Sequence, residues 1–138
     1  MPSLTRVFLS FAPEDANYRS LLVAASRAAG LPVRFVETTH HVTDSRRRVL
    51  SRAKLQQCDL AVVLTSPRAT RHLAVESDMT VAREAGLPVH AIVVGRPSAE
   101  SAVPASWEVS TVTGWNWPSI LELLQRCPER PLEFRRAG

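Results

Sequence analysis

Only two cysteines, Cys58 and Cys127, occur in 138 residues, and neither belongs to a C-x-x-C pair. A disulfide scaffold needs more, so both read as reduced thiols in a cytoplasmic protein. Long hydrophobic runs are also missing. The longest apolar stretches have strand length, far below the roughly 20 residues a membrane helix requires. Residues 1–9 contain no extended apolar region and no small-residue cleavage site, so no secretion signal is expected. Glycine is sparse. Gly30, Gly86, Gly95, Gly114 and Gly138 form neither a G-x-G-x-x-G turn nor a Walker loop, which argues against a redox dinucleotide domain and a P-loop NTPase. There is no G-x-S-x-G nucleophile elbow. No aspartate ends the third apolar run, where Thr65-Ser66 stands and Asp59 lies at the other end, so a phosphoacceptor receiver does not fit. His40 and His41 are adjacent, but no Cys, His or acid nearby has the spacing of a metal ligand set, and no metal is expected.

The length fits one domain over 1–138, with a core of about 5–127 and a tail at 128–138. Hydrophobic residues make up 45% and charged residues 22%, an ordinary globular balance. The formal net charge is +4. Much of the excess lies in Arg46-Arg47-Arg48 with Arg52 and Lys54, and in Arg135-Arg136. No aromatic residue is interleaved with the first cluster, which argues against a base-stacking surface for nucleic acid. The cluster reads as a solvated helix face.

Apolar runs rich in Val, Ile, Leu and Phe recur at 6–11 (RVFLSF), 33–36, 60–65 (LAVVLT), 89–94 (VHAIVV) and, less regularly, 109–113. The third and fourth are apolar almost throughout, as strands covered on both faces are. Helical patterns lie between them. Pro13-Glu14-Asp15 suits a first helical turn, and Tyr18, Leu21, Leu22 and Ala25 then form a core-facing stripe. A second helix is expected from Asp44 as N-cap to Gln57, a third from near Thr70 to Ala85, and a fourth over 118–127. The pentapeptide Ala29-Gly30-Leu31-Pro32-Val33 recurs identically as Ala85-Gly86-Leu87-Pro88-Val89. Glycine takes the left-handed position past a helix end, leucine packs back, and proline prevents continuation. The resulting βαβ alternation predicts an α/β fold of the flavodoxin-like kind, a three-layer sandwich around a mostly parallel five-stranded sheet. Ligands of such sheets bind beyond the strand carboxyl ends. Here that rim is 11–15, 37–41, 65–70 and 95–97, and 96–106 reads as a loop.

On that rim, Glu14 and Asp15 read as helix N-terminal charge, with Asp15 and Arg19 as an i,i+4 pair. Glu76 lies about one and a half turns into the third helix. Its i−4 neighbour is His72, so the two share a face and can pair.

Arg6-Val7-Phe8-Leu9-Ser10-Phe11 followed by Glu14-Asp15 resembles the opening "VFISF…ED" of TIR (Toll/interleukin-1 receptor) domains, within them the bacterial branch that includes signal-producing proteins of Thoeris antiphage defence. Residues 51–66 are similar to the family's "I..S...VVLLS" unit. His72-Leu73-Ala74-Val75-Glu76 stands where the family has "W-V-x-x-E". Residues 82–94 resemble "A...G.PI..I.V", and Trp117 with the last helix resembles the closing Trp and helix. The family's tryptophan is His72 here, and 37–44 lacks the usual Asp and Gly-Glu pattern.

The resemblance implies an enzyme that cleaves NAD+, as substrate and not as redox cofactor, with Glu76 as the catalytic carboxylate. Phe11, Ala12, Ser66 and His72 are then candidate substrate-binding walls, or strand-end packing and capping residues. It also implies homotypic TIR–TIR association and a downstream effector reading the product. The alternatives are a non-catalytic TIR-like assembly module and a nucleoside deoxyribosyltransferase-like enzyme, which places a nucleophilic glutamate on a similar sheet.

Overall fold

The computed structural model describes residues 4–37, 44–95 and 102–126. His40, His41, Cys127, the tail and parts of the rim at 38–41 and 96–97 lie outside the described residues. The described chain runs β1 (Thr5–Ser10), α1 (Ala16–Ala28), β2 (Val33–Val36), α2 (Asp44–Leu55), β3 (Leu60–Thr65), α3 (Leu73–Glu84), β4 (Val89–Val93), β5 (Thr111–Gly114) and α4 (Trp117–Arg126). The strands form one sheet in the order β2-β1-β3-β4-β5, and every pairing is parallel. This is the flavodoxin-like order, with its switch point between β1 and β3.

Alternate strand residues feed two cores. Phe8, Ala61, Val63 and Ala91 face α2 and α3, packing on Leu55, Val75, Met79 and Ala82. Val7, Leu9, Val62, Leu64 and Ile92 face α1 and α4, packing on Leu22, Ile120 and Leu124. All six residues of β3 are buried, because it is central and covered on both faces.

The repeated pentapeptide does what its chemistry requires. Gly30 and Gly86 sit at φ 66° and 73°. The Leu31 N–H donates to Ser26 O and the Gly30 N–H to Arg27 O; after α3, Leu87 donates to Ala82 O and Gly86 to Arg83 O. These are paired Schellman closures. A Cβ at Gly86 would meet nothing within 4 Å, so only the backbone opposes a side chain there. Gly86→Ala should therefore cost about 1–2 kcal/mol through the left-handed conformation alone, read as a lower urea midpoint with an unchanged slope.

Several elements differ from the sequence expectation. The first helical pattern begins as a single 3-10 turn at Pro13–Asp15 before α1. Leu21 is 55% exposed and leaves the core stripe, while Leu22 is buried and Ser26, one turn on, joins it. The third helix is split: a 3-10 turn at Ala69–Arg71 precedes an extended His72 (φ −91°, ψ 122°), and α3 starts at Leu73. β5 starts later than expected because Glu108 is left-handed (φ 49°), and pairing begins only where Ser110 N–H reaches Val89 O.

The largest correction concerns the arginine triplet. Arg46 and Arg48 are exposed, but Arg47 is 3% exposed. Its Nη2 lies 2.8 Å from Asp78 Oδ2 on α3, and Asp78 is fully buried. Asp78 also accepts from Ser10 Oγ at 2.7 Å and Ser51 Oγ at 2.9 Å. One carboxylate thus joins β1, α2 and α3. Burial of a charge is tolerated only with such pairing and hydrogen bonding.

Cys58 closes the α2 turn, and its thiol donates to Lys54 O. Burial, then the neighbouring Asp59 charge, raise its pKa from 9.0 to about 11, against a smaller lowering by Arg6. Between those values the folded chain retains a proton that the unfolded chain has lost. Cys58 stabilisation is therefore full below pH 9 and is lost as pH rises toward about 11. Urea midpoints should fall across that window, and Cys58→Ala should flatten the fall.

Candidate active site

Helix α3 starts at the carboxyl edge of the sheet because it follows β3. His72 accepts the Ala74 N–H at Nδ1, 3.2 Å away, capping the helix as a side-chain acceptor does at this position. Glu76 lies in the first turn. Its Oε2 accepts the indole N–H of Trp107 at 2.7 Å. The Glu76 side chain is otherwise exposed, and Oε1 has no hydrogen-bond partner among the described residues. His72 thus caps the helix and Glu76 meets Trp107.

Trp107 comes from the β4–β5 connection, in a single 3-10 turn at Ala105–Trp107. It is 2% exposed and packs in the core beneath α2 and α3. This turn is strapped to α3. Arg83 Nη1 donates to Ser106 O, and Arg83 Nε lies 3.7 Å from Glu108 Oε2. Glu76 and Arg83 are seven residues apart, two turns, and so occupy one side of α3. Asp78 is turned to α2 and β1 instead.

The other expected wall residues occupy two places. Ala12 and Ser66 meet at the β1–β3 switch point through Asp15. The Ser66 hydroxyl donates to Asp15 Oδ2 and accepts the Ala69 N–H at 3.0 Å, while the Asp15 N–H donates to Ala12 O at 2.9 Å. Asp15 is 3% exposed and so does not serve as the solvent-side partner of Arg19. Arg19 pairs with Glu37 at 2.8 Å. Phe11 is buried in the α1/α4 core, the opposite layer from α3. Next to Ser66, the fully buried Thr65 Oγ1 has no hydrogen-bond partner among the described residues.

Sequence reasoning missed Trp107 and Asp78. A signal existed for the first: a tryptophan in an otherwise aperiodic segment has to be buried against something. Asp78 carried none, since an acid inside a helix ordinarily faces water. Among the described residues, no three His, Cys, Asp or Glu side chains converge as a metal ion would require, and no helix is long and apolar enough to cross a membrane.

The fold is TIR-like. The chain superposes on the TIR domain of the Toll-related receptor TRR-2 of Hydra magnipapillata with a TM-score of 0.65 and 19% identity, covering 90% of this chain and 98% of that one. It superposes on the RPS4 and RRS1 TIR domain heterodimer structure with a TM-score of 0.62 and 14% identity, covering 90% and 96%. A more distant likeness is to the CMP N-glycosidase BcmB of Clostridium botulinum, at TM-score 0.52 and 16% identity, covering 88% and 96%. No protein-family model matches the sequence, and no curated protein matches it.

Proposed function

We propose that this chain consumes NAD+, breaking the nicotinamide–ribose bond to release nicotinamide and form ADP-ribose, a cyclic isomer or a related signal, in cytoplasmic antiphage defence. The observation that carries the reading is the Glu76 carboxylate at the rim end of α3, with one oxygen held by Trp107 and the other open. Nicotinamide leaves from a cationic ring nitrogen, so no general acid has to protonate it. The ribose carbon left behind gains oxocarbenium character. A fixed negative charge beside it lowers the barrier, as a carboxylate does in glycoside hydrolysis. Water then gives ADP-ribose, and an internal nucleophile of the same molecule gives a cyclic product.

The TIR-like fold and the resemblance of 72–76 to the family's glutamate motif support this reading. Homotypic association is part of it: Leu73, three residues from Glu76, is 72% exposed and suits coverage by a second copy. A downstream effector would read the product.

A second reading rests on the fold shared with a CMP N-glycosidase. The same carboxylate would then act on a nucleotide or deoxynucleoside. Incubating concentrated protein with NAD+, CMP and deoxynucleosides, followed by mass spectrometry, separates the two. Nicotinamide release is the expected result. Release of free base from CMP or a deoxynucleoside with NAD+ untouched would replace the proposal with the second reading. Inertness toward all three at assembling concentrations would leave a non-catalytic association module.

A further inference from the structure

We infer that Trp107 is a positioning residue for Glu76, and that the turn at Ala105–Trp107 is built to present it. This rests on the proposed role of Glu76 and extends it to a residue outside the 72–76 motif.

A glutamate on an exposed helix face rotates freely about its side-chain bonds. A freely rotating carboxylate spends little of its time in one productive orientation. Here one oxygen is fixed by an indole N–H at 2.7 Å, and the indole is immobilised because its ring is 2% exposed within the core. Hydrogen bonds to a charged acceptor are the strong ones. Fixing Oε2 leaves Oε1, on an exposed residue, for a sugar carbon to approach. The two oxygens thereby have separate tasks, one anchored in the protein and one available to substrate.

The turn around Trp107 carries independent signs of being shaped for this. Glu108, immediately after Trp107, adopts φ 49° and ψ 49°, and it is the sole non-glycine residue with positive φ among the described residues. Such a conformation is held only where surrounding contacts enforce it. Two contacts from Arg83 hold the turn on either side of Trp107, a hydrogen bond to Ser106 O and an ion pair with the Glu108 carboxylate at 3.7 Å. Trp107 is thus flanked by both anchors, and both come from the side of α3 that carries Glu76.

Trp107→Phe keeps an aromatic ring in the core and removes the donor. The expected result is a folded protein whose kcat for NAD+ cleavage falls about 10-fold, the loss typical of one hydrogen bond to a charged group, with KM little changed. Arg83→Met, which loosens the strap without touching Glu76, should lower kcat in the same direction by a smaller factor. A readout independent of turnover is the indole N–H proton resonance of Trp107 in the full chain, which should move upfield in Glu76→Gln as the charged acceptor is lost.

An unchanged kcat in folded Trp107→Phe, where Glu76→Gln is inactive, would overturn the positioning role and leave the catalytic reading standing. An indole resonance unmoved by Glu76→Gln would overturn the contact itself. Full activity of Glu76→Gln would instead sink the catalytic reading, and the positioning role with it.

Discussion

Glu76→Gln should abolish NAD+ consumption, with kcat/KM reduced at least about 100-fold, while the protein stays folded. The size follows from losing the one charge placed to meet a developing oxocarbenium ion. The fold should survive because the residue is exposed and because the amide oxygen of glutamine still accepts the Trp107 N–H. Exposed substitutions of this kind usually change stability by less than about 0.5 kcal/mol, so the thermal midpoint should move by no more than about 2 °C. Nicotinamide release and a melting curve on the same preparation check both halves. An undiminished rate would refute the assignment.

The second large effect concerns stability. Asp78→Ala should destabilise the chain by about 3–5 kcal/mol, because it removes the carboxylate 2.8 Å from the Arg47 guanidinium, itself 3% exposed. The Ser10 and Ser51 hydroxyls lose the Asp78 carboxylate as an acceptor as well. The midpoint should fall by on the order of 10 °C. Breaking the pair differs from replacing it. The double variant Arg47→Met with Asp78→Leu puts apolar volume where two charges stood, and exchanges of that sort are often neutral or better. Recovery of most of the lost stability in the double variant is therefore expected. A cost below about 1 kcal/mol for Asp78→Ala would mean that the network is dispensable.

The contrast between what could and could not be read from the sequence follows from sequence separation. The helix ends at Gly30 and Gly86 were legible because every atom of a Schellman closure lies within six residues. β3 was legible because a strand covered on both faces must be apolar at every position. The arginine triplet is not legible from sequence, because its meaning depends on Asp78, 31 residues away; three consecutive arginines look the same whichever of them turns inward. Helix spacing pairs Asp15 with Arg19, four residues on, yet its partner Ser66 is 51 residues distant. Within the candidate site, Glu76 was reached through a family resemblance, but its hydrogen-bond partner was not. Trp107 follows it by 31 residues in a connection with no periodicity, and only the fold brings the two together. Phe11 and Glu76 both fall on the rim, but Phe11, one residue past β1, keeps the phase of Val7 and Leu9 and is buried in the far layer.

Glu76 and Asp78 stand two positions apart on α3, which separates their directions by about 200°. One reaches the strap and the other the buried arginine, so the helix is pinned in rotational phase from nearly opposite sides. Twisting it to bring the outer acid closer to a ligand would drag the inner acid off its guanidinium, at a cost of several kilocalories. The reach of the outer acid can therefore be retuned through the length of its own side chain or the path of the strap, but not by turning the rod that bears it.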